Sequence, residues 1–269
     1  MALGKKIIDW DDTQITRGMS TSPETNDGGF SPSTDQINLI NTPGVAYAPA
    51  LATDKSTNVV GEIIASSPDP QLLGEHRVFV DDEGHFYKAN SAGDITLLRT
   101  DAVQTYAPGF TYMTPFDGSV FTTSKEKVCK WTVDSVFTAN YASFTNTNVA
   151  HPSLTYEGNI FYGDKNLLLR QTDASAAPST ILTLSSDQNI VALGIDPGTG
   201  LMLISTTTQL NVSDTTPTIN KVHYYNGFSN KTTKTNIVDD MITAFYPNGG
   251  DIYITYGVNL GYWNGAGIR

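Results

Sequence analysis

A strand pair that recurs five times at nearly constant spacing constrains the fold of this chain more than any other feature. Each copy contains an apolar or aromatic anchor flanked by strand-forming residues. The five anchors are Phe79, Phe121, Phe161, Leu203 and Tyr253. They are separated by 42, 40, 42 and 50 residues. Because a repeat of this length with several short strands per unit is typical of a β-propeller, we predict an all-β chain built from blades.

Four strands are predicted in each blade. The inner strands are expected at 59–65, 110–114, 152–156, 190–195 and 241–246, and the second strands carry the anchors. The third strands follow as HFYKAN, VCKWTVD, LLLRQTD and LGYWNG, and the outer strands are DITLLR, SVFTAN, STILTL and KTTKTNIV. The outer strands are only half apolar, as expected for strands that face solvent.

Turn residues separate the first and second strands of four blades. They are Asp117-Gly118, Glu157-Gly158, Pro197 to Gly200, and Asn248 to Gly250. Glycine and asparagine tolerate positive φ, so these positions predict tight hairpins. The longer interval before the fifth anchor is explained by an insertion, residues 209–220, between the second and third strands of blade 4.

The two ends of the chain bear on the number of blades. After LGYWNG only residues 266–269 remain, too few for an outer strand in blade 5. Residues 36–49 contain Ile37, Leu39 and Val45 and are predicted to supply that strand, which gives a five-bladed ring. The alternative is a chain that continues past Arg269, with six or more blades. Residues 1–35, rich in Ser, Thr, Gly and Pro from residue 17, are predicted to form an N-terminal arm before a propeller domain at 36–269.

Composition excludes several classes of partner. The formal net charge is −11 with only 16% charged residues, so the surface would repel a phosphate backbone and no nucleic-acid partner is expected. No segment approaches the ~20 apolar residues of a membrane span. The single cysteine, Cys129, permits no intrachain disulfide, and its apolar strand predicts a buried thiol.

No residue is predicted to be catalytic or to bind a cofactor or a metal, so we expect a non-enzymatic protein. The acidic runs at 81–83 and 239–240 are interpreted as solvated turns or links, and only Glu62 lies on a predicted inner strand. The histidines are spread over different blades without metal-binding spacing. They are His76, His85, His151 and His223.

Aromatic residues near one position of the third strands suggest an alternative. They are Tyr87, Trp131, Tyr225 and Trp263. Only Tyr225 and Trp263 are followed by Asn-Gly, so packing between blades is favoured over repeated sugar sites. The alternative function is a carbohydrate-binding or glycan-cleaving five-bladed propeller, for which Glu62, Trp131 and Trp263 are the candidate residues.

Strands that end in YYNG (224–227) and YWNG (262–265), together with the leading segment GGFSPSTDQINLINTPGVAYAP (28–49), resemble divergent β-propellers of bacteriophage virion and tail proteins. This resemblance implies a virion structural protein of a tail or adsorption apparatus, assembled in the host cytoplasm. It also implies a rigid propeller scaffold in a symmetric, multi-copy assembly with other virion proteins. Loops such as 206–220 would contact these proteins, or a host receptor or glycan.

Overall fold

The computed structural model describes residues 59, 61–68, 77–90, 94–101, 106–132, 137–147, 149–208, 218–248, 250–256 and 259–269. In these residues, nineteen strands form five antiparallel sheets arranged as a five-bladed β-propeller. The all-β fold and the number of blades are as predicted. The arm (1–35) and the segment 36–49 lie outside the described residues, as does most of the insertion in blade 4.

Blades 1 to 3 each contain four strands in sequential order. Blade 1 comprises β1 (Ile63–Pro68), β2 (Arg77–Asp81), β3 (His85–Ala89) and β4 (Ile95–Thr100). Blade 2 comprises β5 (Met113–Phe116), β6 (Ser119–Thr123), β7 (Lys127–Trp131) and β8 (Phe137–Ser143). Blade 3 comprises β9 (Ser153–Tyr156), β10 (Asn159–Asp164), β11 (Leu167–Gln171) and β12 (Ser179–Thr183).

Blade 4 has four strands and blade 5 has three in the described residues. Blade 4 comprises β13 (Asn189–Ile195), β14 (Met202–Thr207), β15 (Asn220–Tyr225) and β16 (Lys234–Val238). Blade 5 comprises β17 (Ile242–Asn248), β18 (Asp251–Tyr256) and β19 (Asn259–Trp263). Beside β19, Ile268 forms a bridge to Trp263, and Arg269 exchanges two backbone hydrogen bonds of 2.8 Å with Tyr262.

Two inner strands begin later than the sequence predicts. β1 begins at Ile63 rather than at residue 59, because the backbone N–H groups of Gly61 and Glu62 bind the side chains of Asp81 and Asp82 instead of a neighbouring strand. In blade 2, residues 108–110 form a turn closed by hydrogen bonds to the carbonyl of Ala107, so β5 begins only at Met113. Local side-chain and turn hydrogen bonds compete here with extended pairing.

The predicted hairpin turns have the expected backbone. Asp117 and Gly118 have φ of 47° and 70°, and Glu157 and Gly158 have φ of 47° and 69°. Positive φ at both central residues is the signature of a type I′ turn, whose twist matches that of the flanking strands.

The hydrophobic core lies between the blades. Phe121, Phe161 and Leu203 are fully buried and belong to clusters that join blades 2 and 3, 3 and 4, and 4 and 5 respectively. In blade 1 the residues that pack on blade 2 are Val78 and Val80. The repeat predicted from the sequence is therefore out of register by one residue in blade 1, and Phe79 points to the opposite face, because neighbouring strand residues alternate between faces.

Candidate functional site

The tryptophans proposed as sugar-stacking residues are part of the core. Trp131 and Trp263 are only 4% and 2% exposed, and Tyr87 and Tyr225 are fully buried. Trp131 belongs to the cluster between blades 1 and 2, and Trp263 to the cluster between blades 4 and 5. The interpretation that these aromatics pack between blades is confirmed for Trp131, Tyr225 and Trp263, whereas Tyr87 packs within blade 1.

The Asn-Gly pairs after Tyr225 and Trp263 form turns. The side-chain oxygen of Asn264 accepts hydrogen bonds from the backbone N–H groups of Ala266 and Gly267, and Asn226 makes the same pattern two and three residues ahead. Gly227 and Gly265 both have φ of 84°, a conformation that favours glycine. The local backbone therefore favours asparagine followed by glycine at both places.

Each of three interfaces is closed by what we call a blade clasp, a cationic side chain of one blade that donates to a loop carbonyl of the next. Lys130 Nζ lies 2.5 Å from the carbonyl oxygen of Ala174, and Arg170 donates at 3.5 Å to that of Gly227. In blade 4, Lys234 Nζ donates at 2.9 Å to the carbonyl oxygen of Gly265.

Two of the three clasp residues share a strand position that was not predicted from the sequence. Lys130 and Arg170 lie opposite the anchors Phe121 and Phe161 in the strand register. The same position opposite Leu203 holds Tyr224, and Lys234, which pairs with Tyr224 across strands, supplies the cation instead. The sequence contains a signal, because Lys130 and Arg170 each follow their anchor by nine residues. This spacing is recognised only when the third strands are aligned with one another.

Asp81 corrects the interpretation of residues 81–83 as a solvated turn. Asp82 and Glu83 are exposed turn residues, but the side chain of Asp81 is fully buried. It accepts hydrogen bonds from the backbone of Gly61 and His85 and from the hydroxyl of Tyr87. Burial by itself would raise the pKa of Asp81, but these hydrogen bonds outweigh it and hold the pKa below its usual value.

Asp164 in blade 3 has a similar role. Its buried carboxylate accepts hydrogen bonds of 2.8 and 3.0 Å from the backbone N–H groups of Thr145 and Asn146, in the segment that leads into the blade. Asp81 and Asp164 therefore hold backbone at the start of their own blades. Glu62, the predicted axial carboxylate, lies before β1 and is exposed, with only its backbone bound to Asp82.

Two of the predicted histidines are buried. His151 stacks on Phe144 with ring centroids 3.7 Å apart, and its ring nitrogens lie 3.0 and 3.1 Å from the carbonyl oxygens of Gly163 and Lys125. Burial lowers the pKa of His151, and it lowers that of His223 to about 4. His76 lies outside the described residues, within which no cluster of His, Cys, Asp and Glu side chains has an arrangement for a metal ion.

Cys129 is fully buried, as predicted, in the cluster between blades 1 and 2. Burial is the main cause that raises the pKa of its thiol to about 12. The hydroxyl of Tyr106 lies 3.8 Å from its sulfur and donates at 2.9 Å to the carboxylate of Asp101. A thiol held in its neutral form in this way is a poor nucleophile.

A cleft of about 390 Å³ lies between blades 4 and 5. Its lining combines aromatic and aliphatic side chains with a carboxylate, an ammonium group and an amide. The lining residues include Asp196, Tyr224, Lys234, Ile252, Trp263 and Asn264. The sequence prediction had named Trp263 alone among them.

Solved structures of other proteins have a similar overall fold. Saccharomyces cerevisiae Sqt1 matches with a TM-score of 0.53 at 13% identity, over 78% of this chain and 61% of Sqt1. The extracellular domain of BT4673 from B. thetaiotaomicron matches with a TM-score of 0.47 at 14% identity, over 76% of this chain and 28% of that one. The computationally designed Ika8 protein matches with a TM-score of 0.44 at 10% identity, over 76% and 71% of the two chains.

The five sheets of the structure and the match to Sqt1 define the class, a β-propeller, and this likeness concerns the fold alone. No protein-family profile matches the sequence, and no curated protein sequence matches it significantly. In the part of the chain that the structure describes, no helix has the length and apolar character needed to cross a membrane.

Proposed function

We propose that this chain is a non-enzymatic virion structural protein of a phage tail or adsorption apparatus. The propeller acts as a rigid scaffold that contacts other virion proteins. The fold that this proposal requires is present, and the resemblance of residues 28–49 and of the Asn-Gly strand ends to phage propellers supports the virion context.

The observation that carries the proposal is an exposed apolar surface on blade 5, which we call the fifth-blade face. Tyr246, Tyr253 and Tyr262 lie directly opposite one another on the three strands, and Leu260 lies two residues before Tyr262 on the same side. Tyr246, Tyr253 and Leu260 are 51%, 41% and 62% exposed.

The equivalent positions in the preceding blades are covered. The anchors Phe121, Phe161 and Leu203 are fully buried because each packs against the next blade. Tyr253 is the anchor of blade 5 and remains open. A contiguous exposed surface of aromatic side chains is characteristic of protein interfaces, in which tyrosine is enriched.

Rigidity is supported by the interfaces themselves. The clasps of Lys130, Arg170 and Lys234 add charged hydrogen bonds to the apolar clusters between successive blades. A surface carried on such a frame loses little conformational entropy when a partner binds.

The test combines location with the fifth-blade face. Mass spectrometry of purified particles from the source should find the chain in stoichiometric amounts, and Tyr253→Lys should lower its incorporation several-fold, because a charge would be buried at the contact. Ile237→Lys is the matched control, since Ile237 is 74% exposed on the outer strand of blade 4 and should be neutral. Absence of the chain from particles would overturn the virion proposal, and equal incorporation of both variants would remove the fifth-blade face from it.

A further inference from the structure

We propose that the cleft between blades 4 and 5 binds one sugar residue of a glycan. This goes beyond the scaffold function, and it places the site at a cleft whose lining includes Trp263 but not Trp131. Three successive interfaces, between blades 2 and 3, 3 and 4, and 4 and 5, differ at one register position.

The cleft exists because one aromatic ring is replaced by a carboxylate. Tyr156 pairs with Asn159, two residues before the anchor Phe161, and Phe116 pairs with Ser119, two residues before the anchor Phe121. Asp196 donates its backbone N–H to Leu201, two residues before the anchor Leu203. Phe116, Tyr156 and Asp196 therefore occupy one register position in blades 2, 3 and 4.

At the other two interfaces the aromatic ring fills the space beside the loop of the next blade. Tyr156 packs so closely on Gly227 that a Cβ added there would lie 3.0 Å from its ring. Phe116 lies in the same cluster as Ala174 of the next blade. At the third interface Asp196 holds this register position, the nearest atom to a Cβ added at Gly265 is the Tyr224 hydroxyl at 3.6 Å, and a space of about 390 Å³ is left.

The carboxylate is held in a defined position but keeps hydrogen-bonding capacity. Asp196 is buried, and its two oxygens accept hydrogen bonds of 2.9 and 2.8 Å from the backbone of Gly198 and the hydroxyl of Thr199. Each carboxylate oxygen has a second lone pair, so Asp196 can accept further hydrogen bonds from a ligand.

Hydrogen-bond donors also line the cleft. The ammonium group of Lys234 uses one donor for Gly265, and three are available to a lysine side chain. The oxygen of Asn264 is used within its turn, which leaves the amide nitrogen as a donor. The apolar part of the lining includes Tyr224, Ile252 and Trp263.

A sugar residue matches this combination. Its hydroxyl groups donate to a carboxylate and accept from ammonium and amide groups, and its C–H groups contact apolar walls. The volume lies at the lower end of the roughly 300–1,000 Å³ of small-ligand sites, as suits a single ring. A phosphate group matches less well, because the carboxylate of Asp196 and the net charge of −11 oppose an anion.

The test uses the full chain and ligand-observed saturation-transfer NMR. The probes are D-galactose, D-glucose, N-acetyl-D-glucosamine and N-acetylneuraminic acid, with inorganic phosphate followed separately by calorimetry. We expect at least one sugar to bind. Asp196→Tyr should abolish the signal, because the new side chain supplies the aromatic ring that occupies this position at the interfaces between blades 2 and 3 and between blades 3 and 4. Asp187→Tyr is the matched control, at an exposed carboxylate in a turn, and should bind as the wild type does.

A second variant, Asp196→Asn, tests the same proposal if Asp196→Tyr does not fold. The amide can keep the turn through its oxygen but loses one acceptor, so the affinity should fall by at least about tenfold. Absence of transfer to every sugar, binding of phosphate alone, or unchanged binding by both Asp196 variants would overturn the proposal. None of these outcomes depends on whether the chain is found in virions.

Discussion

The hydroxyl of Tyr224 in blade 4 accepts a hydrogen bond of 3.0 Å from the indole Nε1 of Trp263 in blade 5, and it donates one of 3.2 Å to the carbonyl oxygen of Gly265. A buried indole N–H requires an acceptor, and here the preceding blade provides it. Trp263 is therefore held both by apolar packing and by a directional bond across the interface.

Removal of the Tyr224 hydroxyl should weaken this interface. Tyr224→Phe leaves the buried Nε1–H of Trp263 without its acceptor, so the free energy of unfolding should fall by about 1–3 kcal/mol. Urea denaturation followed by tryptophan fluorescence measures the change. Tyr253→Phe is the control, because its ring is on the exposed fifth-blade face and the change should stay within about 0.5 kcal/mol. Equal losses in the two variants would contradict the role of the Tyr224–Trp263 bond.

Asp81→Asn should destabilise blade 1 at neutral pH. The amide cannot accept all the hydrogen bonds that the buried carboxylate receives from Gly61, His85 and Tyr87, so we expect a loss of about 2–4 kcal/mol at pH 7. Because the folded pKa of Asp81 is lowered, its contribution is present above the unfolded pKa of about 3.9 and is lost as the pH falls through the folded value.

Denaturation of wild type and Asp81→Asn at pH 7 and at pH 3 checks both the size and the sign. The gap between the two proteins should narrow at the lower pH. Asp187→Asn, at an exposed turn, should follow the wild type at both pH values. A gap that widens on acidification would show that the carboxylate does not act through its ionised form.

Gly194→Ala tests the close approach of blades 4 and 5. An added Cβ would lie 2.5 Å from Cβ of Phe245 and 2.7 Å from its ring, so the strands must move apart. We expect a loss of about 1–3 kcal/mol, the usual cost of overpacking. Gly250→Ala is the matched control, because its added Cβ meets nothing within 4 Å. The free energy of unfolding of this variant should change little. Thermal unfolding of the two variants separates them, and a neutral Gly194→Ala would mean that the interface tolerates expansion.

His223 should make stability depend on pH below neutrality. Thr206 donates to Gln188 and therefore accepts from Nε2–H of His223, and Nδ1 lies 2.8 Å from the Thr235 hydroxyl, which can donate to it when the ring is neutral. Burial is the main cause that lowers its pKa to about 4. In the unfolded state this imidazole takes up a proton below about pH 6.5, whereas in the folded state it stays neutral down to about pH 4. Its contribution to the free energy of unfolding is therefore fully present above about pH 6.5 and declines by roughly 3 kcal/mol towards pH 4.

NMR titration of the imidazole signals checks this expectation directly. The His223 resonances should remain those of a neutral ring from pH 8 to pH 5, and His223→Gln should flatten part of the decline in unfolding free energy over this range. A midpoint near 6.5 for His223 in the folded protein would contradict the prediction.

Several features could be predicted from the sequence because they are local. The type I′ turns at Asp117-Gly118 and Glu157-Gly158 follow from residues that tolerate positive φ, and the burial of Cys129 follows from its apolar strand. The cleft could not be predicted in the same way. Asp196 is one carboxylate among many in the sequence, and its importance depends on the rings of Phe116 and Tyr156 at the same register position in other blades.

The chain by itself determined the repeat, the strand order within each blade and the number of blades, since a period of about 40 residues and alternating strands are properties of neighbouring residues. The tertiary structure decided which face of each strand meets the next blade. It placed Phe79 on the opposite face from the other anchors and joined Lys130, Arg170 and Lys234 to the following blades. It also left Tyr253 open and opened a cleft beside Asp196. These contacts join residues distant in the chain, and their existence depends on how twisted sheets pack around a ring, which no local pattern encodes.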